Sequence, residues 1–143
     1  MAKLGRYSAD RKKVKELTAA HTVPVSACGT HFMLNSATEF AVTLPDAAKA
    51  GQGWWARFTV VAAPASASYT VVATDDDGDN IHGVVLTAEI SGGDADSTGG
   101  TGTDVITFVD GKAKQGDFVE VMSDGTNWYV WGVATEQDGI TYS

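Results

Sequence analysis

The acidic run Asp75-Asp76-Asp77-Gly78-Asp79-Asn80 is the densest group of potential metal ligands in the sequence. Carboxylate and amide oxygens are the ligands that calcium prefers. The run does not fit an EF-hand loop, because aligning Gly78 with the loop glycine puts Ala73 at the first ligand position and Val84 at the bidentate position. We therefore favour a solvated hairpin loop at residues 75–80 over a calcium site.

Cys28 and His31 are residue types that form nucleophilic pairs in enzymes. In a strand, a separation of three residues directs the two side chains to opposite faces, so we expect Cys28 to be a small buried core residue. His21, His31 and His82 show no HxxxH spacing and no adjacent acidic ligand, and neither a GxSxG nor a GxxxxGK[ST] motif occurs. The sequence predicts a non-enzymatic protein without cofactor or metal.

Aromatic residues form the third group: Trp54, Trp55, Trp128, Tyr129 and Trp131. Aromatic faces exposed on a sheet can stack on sugar rings. In a strand, however, Tyr129 and Trp131 share one face while Trp128 lies on the other, and the adjacent Trp54 and Trp55 also divide between faces. Large aromatic residues on both faces indicate burial on both sides, which a small domain achieves by oligomerising. We favour a core or subunit-interface role for these residues over a sugar platform.

The segment 116–132, GDFVEVMSDGTNWYVWG, predicts a β-hairpin that would position the last three of these aromatic residues. Phe118, Glu120 and Met122 alternate with Val119, Val121 and Ser123, so the two sets lie on opposite faces. Asp124-Gly125 supplies the positive φ of a tight turn.

The rest of the chain also favours β structure. Runs rich in Val, Ile, Thr and aromatic residues predict strands at 22–25, 30–34, 40–44, 54–62, 69–74, 81–90, 105–109, 118–123 and 128–134. Four Asp-Gly pairs, at 77–78, 110–111, 124–125 and 138–139, separate or follow these runs. The pattern predicts an all-β fold, an antiparallel sandwich or jelly-roll-like barrel, formed by residues 21–143 as one domain.

Two segments depart from this pattern. Residues 8–20 are compatible with a short helix that begins at Ser8, because Lys, Glu, Leu and Ala favour helix. Residues 91–104, SGGDADSTGGTGTD, contain too few apolar residues to bury a core, so we expect a flexible surface loop or an extended crossover.

Charge divides the chain into two unlike parts. Residues 1–16 contain six basic and two acidic side chains, whereas the remainder contains four basic and sixteen acidic side chains. A basic N-terminal arm over residues 1–20 could bind nucleic acid or dock on an acidic protein surface, or it could be a solvated, partly disordered terminus. The acidic body disfavours nucleic acid as a partner of the whole domain. The basic residues of the arm are Lys3, Arg6, Arg11, Lys12, Lys13 and Lys15. No secretory signal or membrane-spanning run is predicted, so we expect no membrane partner.

Five segments together form a distinctive pattern: residues 17–23, 32–38, the strand ending in Leu44-Pro45, 58–60, and 116–132 with its Gly-Asp start and Ser-Asp-Gly-Thr-Asn-Trp-Tyr-Val turn. This pattern resembles small structural proteins of tailed bacteriophages, which are capsid decoration or head-fibre components. The resemblance implies an all-β, homotrimeric module on the outside of an icosahedral shell, assembled in the host cytoplasm. The basic start of this chain has no counterpart in that pattern.

The sequence therefore predicts a decoration protein that binds the outer capsid surface of a virion and stabilises the shell. Its partners would be further copies of itself and the major capsid protein, which the basic arm would contact. The alternative is a tail-fibre or head-fibre module that binds host glycans through exposed aromatic residues.

Overall fold

The computed structural model describes residues 11–74, 80–91 and 94–143, with the backbone alone for residues 89–91 and 94–96. Two mixed β-sheets pack face to face, which confirms the expected all-β sandwich. The seven-stranded sheet has the order β1-β3-β5-β10-β11-β7-β8, and the five-stranded sheet has the order β12-β9-β6-β4-β2. The strands are β1 Lys13–Leu17, β2 His21–Thr22, β3 Thr30–Leu34, β4 Ala41–Thr43, β5 Gln52–Val60, β6 Tyr69–Val72, β7 Ile81–Ser91, β8 Asp94–Thr103, β9 Val105–Phe108, β10 Phe118–Asp124, β11 Trp128–Ala134 and β12 Ile140–Tyr142.

The expectation of purely antiparallel sheets is wrong. Strand β3 pairs in parallel with both β1 and β5, and β11 pairs in parallel with β7. In the second sheet, β4 is parallel to both β2 and β6. Alternation of residues reveals which face of a strand is buried but not the direction of its neighbour, so the sequence pattern could not detect these parallel pairs.

The core between the sheets is built from alternate residues of nearly every strand. Phe32 and Phe58 stack at 5.2 Å between ring centroids, and Phe40 packs edge-on against Tyr69 at the same distance. The Tyr69 hydroxyl donates to the carbonyl of Ser36 at 2.8 Å and accepts from its amide at 3.0 Å. This phenol is therefore buried with its hydrogen bonds satisfied, as a buried polar group requires.

The helix expected at residues 8–20 is wrong over the described part of that segment. Lys13–Leu17 is β1, paired in parallel with β3, and four of its five residues are exposed. Only Leu17 is buried. Edge strands tolerate Lys because its charge discourages pairing with other chains, and this tertiary context overrides helix propensity. The helical elements in the described chain are a 3-10 turn, Val25–Ala27, and one turn of helix, α1, Ala47–Ala50.

The flexible surface loop or extended crossover expected at residues 91–104 is also wrong over the described part of that segment. Asp94–Thr103 is β8, an edge strand that pairs antiparallel with β7. Glycine serves packing in this strand, since a Cβ on Gly100 would lie 2.6 Å from the ring of Tyr142 in the other sheet. A low apolar content is compatible with a strand that needs little side-chain burial of its own.

Asp117 joins the start of β10 to the neighbouring segments. Its buried carboxylate accepts hydrogen bonds from the Lys114 amide at 2.8 Å and from the Thr135 amide and hydroxyl at 2.9 and 2.7 Å. Its main-chain carbonyl accepts from the Val60 amide at the end of β5. Asp117 thus joins the end of β5, the turn at Lys114 and the segment that follows β11 at the point where the β10–β11 hairpin begins.

Candidate functional site: the outer face of the seven-stranded sheet

The predicted hairpin is confirmed, and it divides its aromatic residues as expected. Strands β10 and β11 pair antiparallel from Phe118 with Val133 to Ser123 with Trp128. The Asp124 carboxylate accepts from the Thr126 and Asn127 amides at 2.8 and 2.7 Å, which closes the turn. These backbone hydrogen bonds lower the pKa of Asp124, and the bond from the Asn127 amide has the largest effect.

Trp54 and Trp128 belong to the core. Their rings meet edge to face at 5.3 Å, and the indole N–H of Trp54 donates to the Val25 carbonyl at 2.7 Å. Trp55 is only partly buried and lies on the opposite face of β5, where it pairs with Met122 of β10. Two of the five candidate aromatic residues are therefore unavailable to a ligand.

Tyr129 and Trp131 lie on the outer face of the seven-stranded sheet and are exposed by 44% and 47%. The register places His82, Val84 and Leu86 of β7 beside the outward residues of β11. Together the exposed apolar side chains form one surface across three strands, which we call the apolar patch. It consists of Val84, Leu86, Met122, Tyr129 and Trp131. Contiguous exposed apolar surface of this kind marks interaction sites.

Neighbouring side chains hold both patch rings in place. Phe118 contacts Trp131 edge-on at 5.4 Å, and His82 lies 5.9 Å from Tyr129, measured between ring centroids. The Arg57 guanidinium covers the Phe118 ring at 4.3 Å from its centroid. The same guanidinium donates two hydrogen bonds, at 3.1 and 3.0 Å, to Oε2 of Glu120. The rings are thus positioned before any partner binds.

A shallow depression of about 320 Å³ lies within the apolar patch. Its lining is Glu120, Met122, Tyr129, Val130 and Trp131. Two aromatic rings, a thioether and a carboxylate offer stacking, dispersion and one charge, which is the chemistry of recognition.

The described part of the basic arm is residues 11–20, and its basic side chains all lie within residues 11–15, which we call the basic segment. Arg11, Lys12, Lys13 and Lys15 are all exposed, and none forms an ion pair with a residue that the structure describes. Lys15 donates to His21 at 3.2 Å. Lys3 and Arg6 lie outside the described residues. Because Lys13 and Lys15 belong to β1, this part of the arm is built into the sheet.

Every other basic residue that the structure describes forms an ion pair. The ion pairs are Lys49 with Asp46, Arg57 with Glu120, Lys112 with Asp138, and Lys114 with Glu136. The four cations of the basic segment therefore differ from the rest in having no acidic partner among the described residues.

Two histidines lie beside this segment. Burial lowers the pKa of His31, and the charges of Arg57 and Lys12 lower it further, while Glu120 opposes them. Nε2 of His31 lies 3.1 Å from the Thr59 hydroxyl. Burial and then Lys15 lower the pKa of His21. Both rings therefore favour the neutral form at neutral pH.

Cys28 is exposed, so the expectation that it is a small buried core residue is wrong. It follows the 3-10 turn Val25–Ala27 and precedes Gly29, whose φ of 77° is readily adopted only by glycine, so the thiol faces outward from a turn. Across residues 11–74, 80–91 and 94–143, no three His, Cys, Asp or Glu side chains are placed to hold a metal. Of the acidic run 75–80, residues 75–79 lie outside the described part. None of the described helices is long and apolar enough to cross a membrane.

Sequence reasoning missed the contribution of β7 to the site. Val84 and Leu86 alternate as a half-buried strand requires, and that signal was visible in the sequence. Their position beside Trp131 depends on the parallel pairing of β7 with β11, which alternation does not reveal. No family model, no curated protein and no solved structure matches this chain.

Proposed function

We propose that this protein is a non-enzymatic structural subunit that forms a homotrimer and decorates the outer surface of a phage capsid. The observation that carries the proposal is the apolar patch. Trp, Tyr and Met are enriched at protein interfaces, and here they lie exposed on one sheet face with their rings already held by neighbours. Such a face fits contact with protein.

The basic segment supports a docking role. Its four cations are unpaired among the described residues on a body that is otherwise acidic, and an acidic surface of the major capsid protein would neutralise them. A shell site with that charge would attract the basic segment and repel the rest of the molecule.

Stabilisation of a shell requires no chemical step. A protein that binds the assembled shell more tightly than its dissociated subunits shifts the equilibrium towards the shell by the difference in binding free energy. A trimer would present three basic segments at once, so weak contacts would combine through their high effective concentration. The resemblance of residues 116–132 and the other matching segments to phage decoration and head-fibre proteins supports the capsid as the partner.

The test is light scattering of the purified protein, followed by co-sedimentation with undecorated capsids. We expect a trimer that sediments with shells. The variant Arg11→Glu/Lys12→Glu should sediment with shells less than the native protein and should give an unchanged circular dichroism spectrum, because both residues precede β1. A native protein that remains in the supernatant at all protein concentrations would contradict the capsid role.

One observation favours a second candidate function, a tail-fibre or head-fibre module that binds glycans. Tyr129 and Trp131 are half-exposed and line a depression beside Glu120, an arrangement that can stack on a sugar ring and accept its hydroxyl hydrogens. A shift in tryptophan fluorescence on adding oligosaccharides, lost in Trp131→Ala, would support it. Trp54 and Trp128 are buried and would contribute nothing to that site.

A further inference from the structure

The depression between Tyr129 and Trp131 suits a positively charged side chain on an aliphatic stem. Both rings and the Met122 thioether are about half exposed, and Glu120 lines the same depression. Both hydrogen bonds from Arg57 fall on Oε2 of Glu120, and Oε1 accepts none from the described residues. A Lys or Arg stem packs on aromatic faces while its charged end reaches a carboxylate.

The basic segment has the complementary composition. It offers unpaired cations, and among them stands Val14, which at 62% is the most exposed large apolar residue of the described chain. The apolar patch around the depression includes Val84 and Leu86, which could cover Val14. One contact would therefore pair a cation of the basic segment with the Glu120 carboxylate and pack Val14 against Val84 and Leu86.

The basic segment cannot reach the depression of its own copy. Pairing with β3 fixes β1 at the edge of the sheet, and β1 and β11 are separated by β3, β5 and β10. With strands about 4.8 Å apart, the distance from β1 to β11 is about 19 Å. The contact is possible only between two copies.

We infer that the depression is the docking site for a basic side chain from residues 11–13 of a second copy. Lys15 is left out because it donates to His21. The inference rests on the proposed self-association and names the surfaces that form it. One cation fills the depression, and the remaining cations stay available for a shell.

This contact joins two different surfaces, the edge of one sheet and the outer face of the next. Contacts of that type form a closed ring if the rotation between copies closes, and an open filament if it does not. A homotrimer is a ring of three such contacts. A contact between two identical outer faces would instead stop at a dimer and would not involve the basic segment.

The experiment uses two variants of the full chain, each lacking one half of the contact. Trp131→Ala removes a wall of the depression and keeps the basic segment. Arg11→Glu/Lys12→Glu/Lys13→Glu removes the cations and keeps the depression. By light scattering at about 10 µM, we expect the native trimer to become monomeric in each variant, because loss of a central tryptophan contact weakens association by about 30-fold or more.

Mixing the two variants gives the decisive result. One intact depression then meets one intact basic segment, so we expect a dimer containing one copy of each variant, and no trimer. The matched control is Lys49→Glu/Lys112→Glu/Lys114→Glu, which makes the same change in net charge at three lysines outside the contact and should remain trimeric. If Trp131→Ala fails to fold, Glu120→Gln takes its place in the experiment. This variant keeps the shape of the side chain, removes its charge and should weaken the trimer.

The outcomes separate the inference from the proposed function. A trimer that survives reversal of residues 11–13 would overturn the inference and leave the proposed self-association standing. A native protein that is monomeric at every concentration would overturn both. Monomeric variants that do not form a dimer on mixing would show that the two surfaces do not meet, which also overturns the inference.

Discussion

Both faces of β11 carry aromatic residues, but one face is buried and the other is exposed. Trp128 and Val130 point between the sheets and are buried, whereas Tyr129 and Trp131 point outward and are half-exposed. Trp128 meets Trp54 inside the core, and Trp131 meets Phe118 on the surface, both edge-on. An aromatic contact alone therefore does not distinguish a core from a binding surface. The two contacts differ because the five-stranded sheet covers Trp128 and Trp54, whereas no second sheet of the described structure covers Trp131 and Phe118.

The largest effect should come from the inner face. Trp128→Ala should lower the free energy of unfolding by about 3 to 5 kcal/mol, because it removes a fully buried indole and leaves a cavity beside Trp54. Urea denaturation followed by circular dichroism measures this. A loss below about 1 kcal/mol would mean that the core collapses around the substitution, and the distinction between the faces would fail.

A smaller effect should follow from adding one methyl group to the inner face. A Cβ on Gly132 would lie 2.3 Å from the Phe118 carbonyl oxygen and 3.0 Å from Cγ1 of Val119. Because backbone must shift to accept it, Gly132→Ala should cost about 1 to 3 kcal/mol of unfolding free energy. The matched control is Gly99→Ala, whose Cβ has only the Gly83 carbonyl oxygen within 4 Å, at 3.7 Å. Equal losses in both variants would contradict the packing argument.

On the outer face, Trp131→Ala should cost only about 1 kcal/mol, the value of its contact with Phe118 together with partial burial. Unfolding should be measured at two protein concentrations, since association adds stability that depends on concentration. We expect the native protein to gain stability with concentration and the variant not to. A loss as large as that of Trp128→Ala would show that Trp131 supports the fold.

The smallest effect concerns pH. The folded protein lowers the pKa of His31 and of His21, so the unfolded chain binds more protons than the folded chain in the window between the lowered values and about 6.5. The contribution of these two histidines to the free energy of unfolding is fully present above about pH 6.5, and it is lost as the pH falls through their pKa values in the folded protein. His31→Gln should reduce this slope in urea denaturations from pH 7.5 to 5. An unchanged slope would assign the effect to other groups.

The sequence predicted those parts of the fold that depend on local alternation. Residues 118–134 formed the expected hairpin, with Val119, Val121 and Ser123 inward, because a side-chain period of two determines which face is buried. The edge strands β1 and β8 were missed, since one has helix-forming residues and the other is rich in glycine. Both owe their strand conformation to pairing with a neighbouring strand, β3 for β1 and β7 for β8, and not to their own composition.

The candidate site was predictable in one half only. The common face of Tyr129 and Trp131 followed from the hairpin, and the concentration of basic residues near the N-terminus followed from composition. Phe118 holds Trp131 in place, and Arg57 holds Phe118 in place. Both contacts depend on the register between β5, β10 and β11. That register comes from the turn and the core packing together, and neither can be read from spacing alone.

The order of strands in the larger sheet has a consequence for how the protein is made. Strand β11 lies between β10 and β7, and its first pair with β7 joins Trp128 to Ile81. Until a ribosome has released residues 128–134, β7 and β8 cannot join the other five strands of the larger sheet. Parallel pairings over such separations form slowly. The outer face of the larger sheet is therefore completed late, so the proposed association of copies through it would have to wait until each chain has nearly finished folding.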